Sequence, residues 1–145
     1  MTNQFFLIRP DDVQDVWPGA RPLIEKALVH AEGGLTTTDI LRFVLTGAQE
    51  LWVGFQDTDI FTALITEIIQ YPRSKTLRII TFATTTGHDM DIWYDGIMDQ
   101  LEEFGRANGC DGIEAWCRKG LARKLDWDHT YAVVFKTIKQ TKQGE

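Results

Sequence analysis

No apolar run in this sequence approaches the ~18 residues that a membrane-crossing helix needs. Cysteine is scarce, with only Cys110 and Cys117, too few for a disulfide framework. The expectation is a pair of buried free thiols in a reducing compartment, with a Cys110–Cys117 bridge left open. Proline and glycine, at 4 and 12 residues, are too few for a collagen-like or disordered chain. The opening Met1-Thr2-Asn3-Gln4-Phe5-Phe6 has no basic flank and no cleavable apolar segment, so no signal peptide is expected. Basic charge is outnumbered 15 to 21, and the net charge of −6 argues against nucleic acid as a partner. Gly-x-Ser-x-Gly and Walker sequences, internal repeats and low-complexity segments are all absent.

The 145 residues, 43% of them hydrophobic, suffice for one domain over 1–145 with a sizeable core. Charge is unevenly spread. Residues 1–117 hold 8 basic and 18 acidic side chains. Residues 118–142 hold 7 basic (Arg118, Lys119, Arg123, Lys124, Lys136, Lys139, Lys142) and 2 acidic (Asp126, Asp128). Such a basic end is either a solvated face or a docking surface for an acidic partner or another copy.

Phe5 to Arg9 reads as a first strand, stopped by Pro10-Asp11-Asp12 at the start of a helix. Val13, Val16 and Trp17 give that helix an apolar face; Pro18-Gly19 is expected to interrupt it and Pro22 to restart it. Gly33-Gly34 should end the segment. Thr36-x-x-Asp39 reads as a capping box, with Ile40, Phe43 and Val44 on the buried face of a second helix that Gly47 closes. Leu51–Phe55, Ile60–Tyr71 and Leu77–Ala83 read as three strands joined by short turns, hence antiparallel hairpins. The second of them, rich in Ile, Thr and Phe, should be buried on both faces.

Trp93, Ile97, Leu101 and Phe104 recur at helical spacing over Ile92–Ala107, and Asn108-Gly109 is a helix stop. A strand over Ile113–Cys117, a short helix over Gly120–Leu125, a strand over Tyr131–Ile138 and a polar tail over 139–145 complete the chain. The order predicts an α+β fold with a mixed, mostly antiparallel sheet and helices on both faces.

The stretch from Thr84 to Asp91 carries most of the functional information. A strand, a glycine-containing turn and a helix N-terminus form the usual cradle for a phosphate. Here Asp89 and Asp91 lie where an anion would sit, and no Lys or Arg occurs between Arg78 and Arg106. The geometry suggests a coenzyme site and the charges oppose one.

Several local patterns resemble the GNAT superfamily of acyl-coenzyme-A-dependent N-acyltransferases. Ile8-Arg9-Pro10-Asp11-Asp12 is similar to that family's entry into its first helix, and Glu50-Leu51-Trp52-Val53-Gly54 to the strand opening its central hairpin. Leu101 to Cys110 resembles the end of its coenzyme helix. Ala122 to Trp127 resembles its closing helix, with Asp126-Trp127 replacing a Gly-Phe pair. The resemblance implies a GNAT-like fold and, for an active member, acetyl-CoA as cofactor. It also places the coenzyme loop at Thr85, Thr86, Gly87, His88 and Asp89. The family holds pyrophosphate with Arg or Gln and two glycines; this loop has one glycine, no Arg or Gln, and carboxylates instead. An aspartate at a helix N-terminus satisfies the free N–H groups itself, and repulsion of ~1–4 kcal/mol per close charge pair would weaken a pyrophosphate. The implied cofactor is therefore none, or acetyl-CoA if the loop still admits it.

Acyl transfer to an amine needs a base and an acid. Glu67 and Glu50 are candidate bases, and Tyr131 a candidate acid, in an active member. Two acidic sets, His88/Asp89/Asp91 and Asp126/Asp128/His129, lack a recognised metal-ligand spacing, so no metal is expected. Five tryptophans are many for 145 residues; they and the Phe5-Phe6 pair are either core or, since aromatics anchor interfaces, contact surface. The leading expectation is a GNAT-fold protein that has lost acyl transfer and works by protein contact, with a protein partner or its own copies. It resembles compact GNAT-like proteins encoded by tailed bacteriophages, which implies a host-cytoplasmic or virion-associated place. The alternative is an acetyl-CoA-dependent N-acetyltransferase with an atypical loop.

Overall fold

The computed structural model describes residues 3–29, 34–85 and 90–115, together with 127, 136 and 138; the side chains of 90–92 are excepted. The chain divides into two units, Met1–Ala115 and Trp116–Glu145. All the described elements belong to the first. They are strand β1 (Asn3–Ile8), helices α1 (Val13–Leu28) and α2 (Thr37–Thr46), strands β2 (Glu50–Gln56), β3 (Asp59–Gln70) and β4 (Lys75–Thr84), helix α3 (Met90–Ala107) and strand β5 (Gly112–Ala115). A single 3-10 turn, Pro10–Asp12, leads into α1. The sheet runs in the order β1-β2-β3-β4-β5, antiparallel except for the parallel pair β4–β5. This is the mixed α+β architecture that the sequence predicts.

One helix differs from its sequence reading. α1 continues through Pro18 and Pro22 instead of breaking at Pro18-Gly19. An interior proline costs about 3 kcal/mol, but the burial of Val13, Ala20, Leu23 and Ile24 along one stripe offsets it. Gly19 sits where the helix presses on the sheet: a Cβ there would lie 2.7 Å from Ile60 Cδ1. The helix ends at Leu28, before the glycines expected to stop it, of which Gly33 lies outside the described residues.

The other helix signals hold. Thr36 and Asp39 form a reciprocal capping box: Asp39 N–H donates to Thr36 Oγ1 at 3.2 Å, and Thr36 N–H donates to Asp39 Oδ2 at 3.0 Å. Gly47 closes α2 in the left-handed region, at φ 83°. α3 ends in a Schellman motif around Gly109 (φ 76°), with Cys110 N–H donating to Gly105 O at 2.8 Å and Gly109 N–H to Arg106 O at 3.2 Å. Its Ile97 and Leu101 are buried, Trp93 and Phe104 half-buried, and Asp95, Asp99, Glu102 and Glu103 exposed, as the periodicity requires.

Two bulges set which side chain faces which layer. Gly54 pairs with Thr62 and Phe55 with Ile60, so Phe61 is an extra residue in β3. Ile65 pairs with Thr81 and Thr66 with Ile79, so Ile80 is an extra residue in β4. On one face Leu51, Val53, Ala63, Ile65 and Ala83 form the core with α1 and α2, and Phe55, Ile60 and Ile80 pack against it. On the other, Trp52 meets Phe104 of α3 edge-on at 5.3 Å, and Phe61 meets Trp93 at 4.5 Å. Gly54 makes room there, since its Cβ would lie 2.5 Å from Thr62 Cγ2 and 2.9 Å from Phe61 Cε1. All six residues Phe61–Thr66 are buried, so β3 is covered on both faces over that span.

Candidate functional site

The most organised polar chemistry lies at the level of the second bulge. Glu50, Thr66, Ile79 and Ala115 pair in one row across β2, β3, β4 and β5. Trp52 Nε1 donates to Thr66 Oγ1 at 2.9 Å, and Thr66 spends its one hydroxyl proton on Glu50 Oε1 at 2.8 Å. Trp52 and Thr66 are fully buried, and Glu50 is half-buried. Burial raises the Glu50 carboxyl from its ordinary 4.5 to about 7, the Thr66 hydrogen bond opposes that, and the nearby Glu67 adds to it. A half-buried carboxyl poised near neutrality can accept a proton, the property a general base needs.

Among the described residues the pairing of β4 with β5 runs as far as this row, with Ala115 opposite Ile79, and β4 continues through its bulge to Thr84. Beside the bulge, Thr81 Oγ1 is buried without a hydrogen-bond partner, as is Gln49 Oε1 just ahead of Glu50.

The neighbouring row has a different character. Glu67, Arg78 and Glu114 pair across β3, β4 and β5. Tyr71 OH donates to Glu114 Oε1 at 2.6 Å and accepts from Arg78 Nη2 at 3.0 Å. Arg78 Nε stands 3.7 Å from Glu114 Oε1, too far for a hydrogen bond but within ion-pair reach. Glu67, a candidate base in the sequence, is thus half-buried across from a guanidinium.

Thr85 follows β4 at its far end and is anchored by its N–H donating to Phe61 O at 2.8 Å. Six residues of strand, 79–84, separate it from Arg78, roughly 20 Å at the usual rise. Glu50 and Glu67 therefore lie well away from Thr85, where the loop expected from the sequence begins. Thr86, Gly87, His88 and Asp89, and the candidate acid Tyr131, lie outside the described residues, as do the expected helix over 120–125 and strand over 131–138. α3 begins at Met90, so Asp91 belongs to its first turn and Asp89 immediately precedes it in the chain. No cation occurs from Ile79 to Gly105 to offset them.

Among the described residues no three His, Cys, Asp or Glu side chains come together as a metal site; both acidic sets named from the sequence fall outside that description. No described helix is long and apolar enough to cross a membrane. Cys110 is a free thiol, and burial pushes its pKa up, away from the range of a reactive thiolate. Of the aromatic anchors expected at a surface, Phe5 is buried, stacked on Trp52 at 5.6 Å, while Phe6 is exposed.

No protein-family model matches the chain, and no curated protein matches it. Solved structures do. An aminoglycoside acetyltransferase from an uncultured soil metagenomic sample aligns with a TM-score of 0.70 at 14% identity, over 97% of this chain and 100% of that one. A predicted acetyltransferase with acetyl-CoA from Clostridium acetobutylicum aligns with a TM-score of 0.69 at 11% identity, over 94% and 96%. A GNAT family acetyltransferase from Staphylococcus aureus aligns with a TM-score of 0.63 at 12% identity, over 95% and 100%. The fold is GNAT-like. At these identities the likeness extends to architecture, and the chemistry rests on this chain's own residues.

The sequence had singled out Glu50 without its partners. Thr66 and Trp52 complete the relay, and the only advance signal was that a core tryptophan needs an acceptor for its N–H. The Tyr71–Arg78–Glu114 network had no signal at all, because it depends on the parallel register of β5.

Proposed function

We propose that this GNAT-fold protein has given up acyl transfer and acts through contact with other protein surfaces. The observation that carries the reading is the acidic opening of α3. Asp91 in the first helical turn, Asp89 just before it and 27 residues without a cation (79–105) oppose the pyrophosphate of coenzyme A. The resemblance to compact GNAT-like phage proteins supports an accessory or virion component as the biological setting. A second reading, an acetyl-CoA-dependent N-acetyltransferase with an atypical loop, is favoured by Glu50. Its half-buried carboxyl, raised to about 7, would accept a proton from an attacking amine.

Ligand-induced stabilisation separates the two, because a ligand at 100 times its Kd adds about 2.7 kcal/mol to a fold. The contact reading expects no change in melting temperature up to millimolar acetyl-CoA. A clear rise at micromolar acetyl-CoA overturns it, and loss of acetyl transfer in Glu50→Gln would then establish the enzyme.

A further inference from the structure

We infer that the free edge of β1 is a homotypic docking surface, at which Asn3–Ile8 pairs antiparallel with the same strand of a second copy. This rests on the contact reading and gives it a surface and a partner. Among the described residues β1 is the end strand, bonded only to β2. Its outer N–H and C=O groups form a row that an extended strand satisfies directly.

Sheet proteins usually guard such an edge with a lysine, a proline, a bulge or an inward charge. β1 has none of these: its sequence is Asn-Gln-Phe-Phe-Leu-Ile, and it pairs with β2 without a register shift. The exposed large hydrophobic residues of the described chain are Phe6, Leu7, Val29, Leu45 and Ile138, and only Phe6 and Leu7 adjoin. Successive strand residues point to opposite faces, so apolar surface is exposed above and below the same edge. A strand added beside β1 covers both; a partner laid on one face covers only one. Phe6 is already braced against Phe55 at 6.2 Å, which limits the ordering that pairing would require.

Charge selects the occupant. Two like surfaces of a chain carrying −6 repel each other least where charge is absent, and a two-fold contact sets each surface against its own copy. Asn3–Ile8 and the adjoining Leu51–Gln56 contain no charged residue in a chain that is 25% charged. Antiparallel pairing of a strand with itself is two-fold symmetric, so one neutral edge serves as both halves of the interface and needs no second complementary surface. The two Phe6 rings then fall on one face of a continuous sheet that joins the five described strands of each copy.

Light scattering with size-exclusion chromatography on the full chain tests this. The wild type should reach twice the 16.6 kDa chain mass as concentration rises, with amide exchange slowing in parallel at those β1 residues whose N–H faces away from β2. Phe6→Lys and Leu7→Lys should each return the protein to single mass while it stays folded with a cooperative melt, since both positions are exposed. Val29→Lys, at an equally apolar but isolated position, should leave the dimer intact. A wild type that stays at single mass at every concentration overturns the proposal, and so does a dimer that survives both β1 variants. Neither result touches the contact reading, which falls only to acetyl-CoA binding.

Discussion

Glu50 and Glu114 stand on adjacent rows of one sheet and are held in opposite ways. Glu114 is enclosed by a cation and a phenol: Arg78 at 3.7 Å and Tyr71 OH at 2.6 Å. Glu50 has a single hydroxyl, from Thr66, and its closest charge influence is another carboxylate, Glu67. Burial of a carboxylate without a cation favours the protonated form, and burial beside one favours the charged form. The same chemical group therefore sits beside a guanidinium on one row and without one on the next, where its pKa is raised. Alternation along each strand puts the two on opposite faces, so neither compensates the other.

The sharpest way to break the comparison is to remove the cation. Arg78→Met should cost roughly 3 kcal/mol in urea unfolding, because deleting one member of a largely buried pair leaves the other uncompensated. Glu114 and Glu67 would then flank an uncharged side chain in the same row. A cost near zero would mean that Glu114 is solvated well enough to need no partner. Arg78 would then have no structural role distinct from that of Thr66.

The Glu50 row should break with a smaller effect. Thr66→Val keeps the side-chain shape but strips the relay, leaving Trp52 Nε1 without its acceptor and Glu50 Oε1 without its donor. An unsatisfied buried polar group costs about 1–3 kcal/mol, and Glu50 is exposed enough to regain water, so the loss should be near 2 kcal/mol. Trp52 fluorescence should shift with it, since the indole N–H is the group set free. If the variant is as stable as the wild type, the hydrogen bonds of this row contribute nothing net.

These two rows also mark where sequence stops being informative. The capping box at Thr36, the left-handed cap at Gly47, the hairpins of β2–β4 and the buried stripe of α3 are local, and each could be read from residues within a few positions of one another. α1 could not. A proline in an isolated helix is a break, and only the packing of Val13, Ala20, Leu23 and Ile24 against the sheet overrides it. The sites were hidden for a related reason. Glu50 was visible as a carboxylate at a strand start, but its partner Thr66 lies 16 residues away and depends on antiparallel register. Glu114 meets Tyr71 across 43 residues and through a parallel pairing. The bulges at Phe61 and Ile80 add one residue each and flip the faces beyond them, and nothing local marks them.

The finest test of the comparison is a pH series on Glu50. In the folded chain its carboxyl titrates near 7, against an ordinary 4.5 when unfolded. Between those values the folded state binds more protons than the unfolded one, so stability falls as pH rises. The stabilising contribution of the protonated form is complete below pH 4.5 and lost once pH passes 7. A tenfold change in proton affinity corresponds to ~1.4 kcal/mol, but Glu50 is only half-buried, and solvent screening reduces the effect to about 1 kcal/mol. Wild-type stability should drop by about that amount between pH 5 and pH 8 relative to Glu50→Gln, which carries no ionisable group and should be the more stable protein at pH 8. If the wild type and Glu50→Gln keep a constant difference from pH 5 to pH 8, Glu50 is ionised throughout. The contrast between the two rows would then be one of geometry and not of charge.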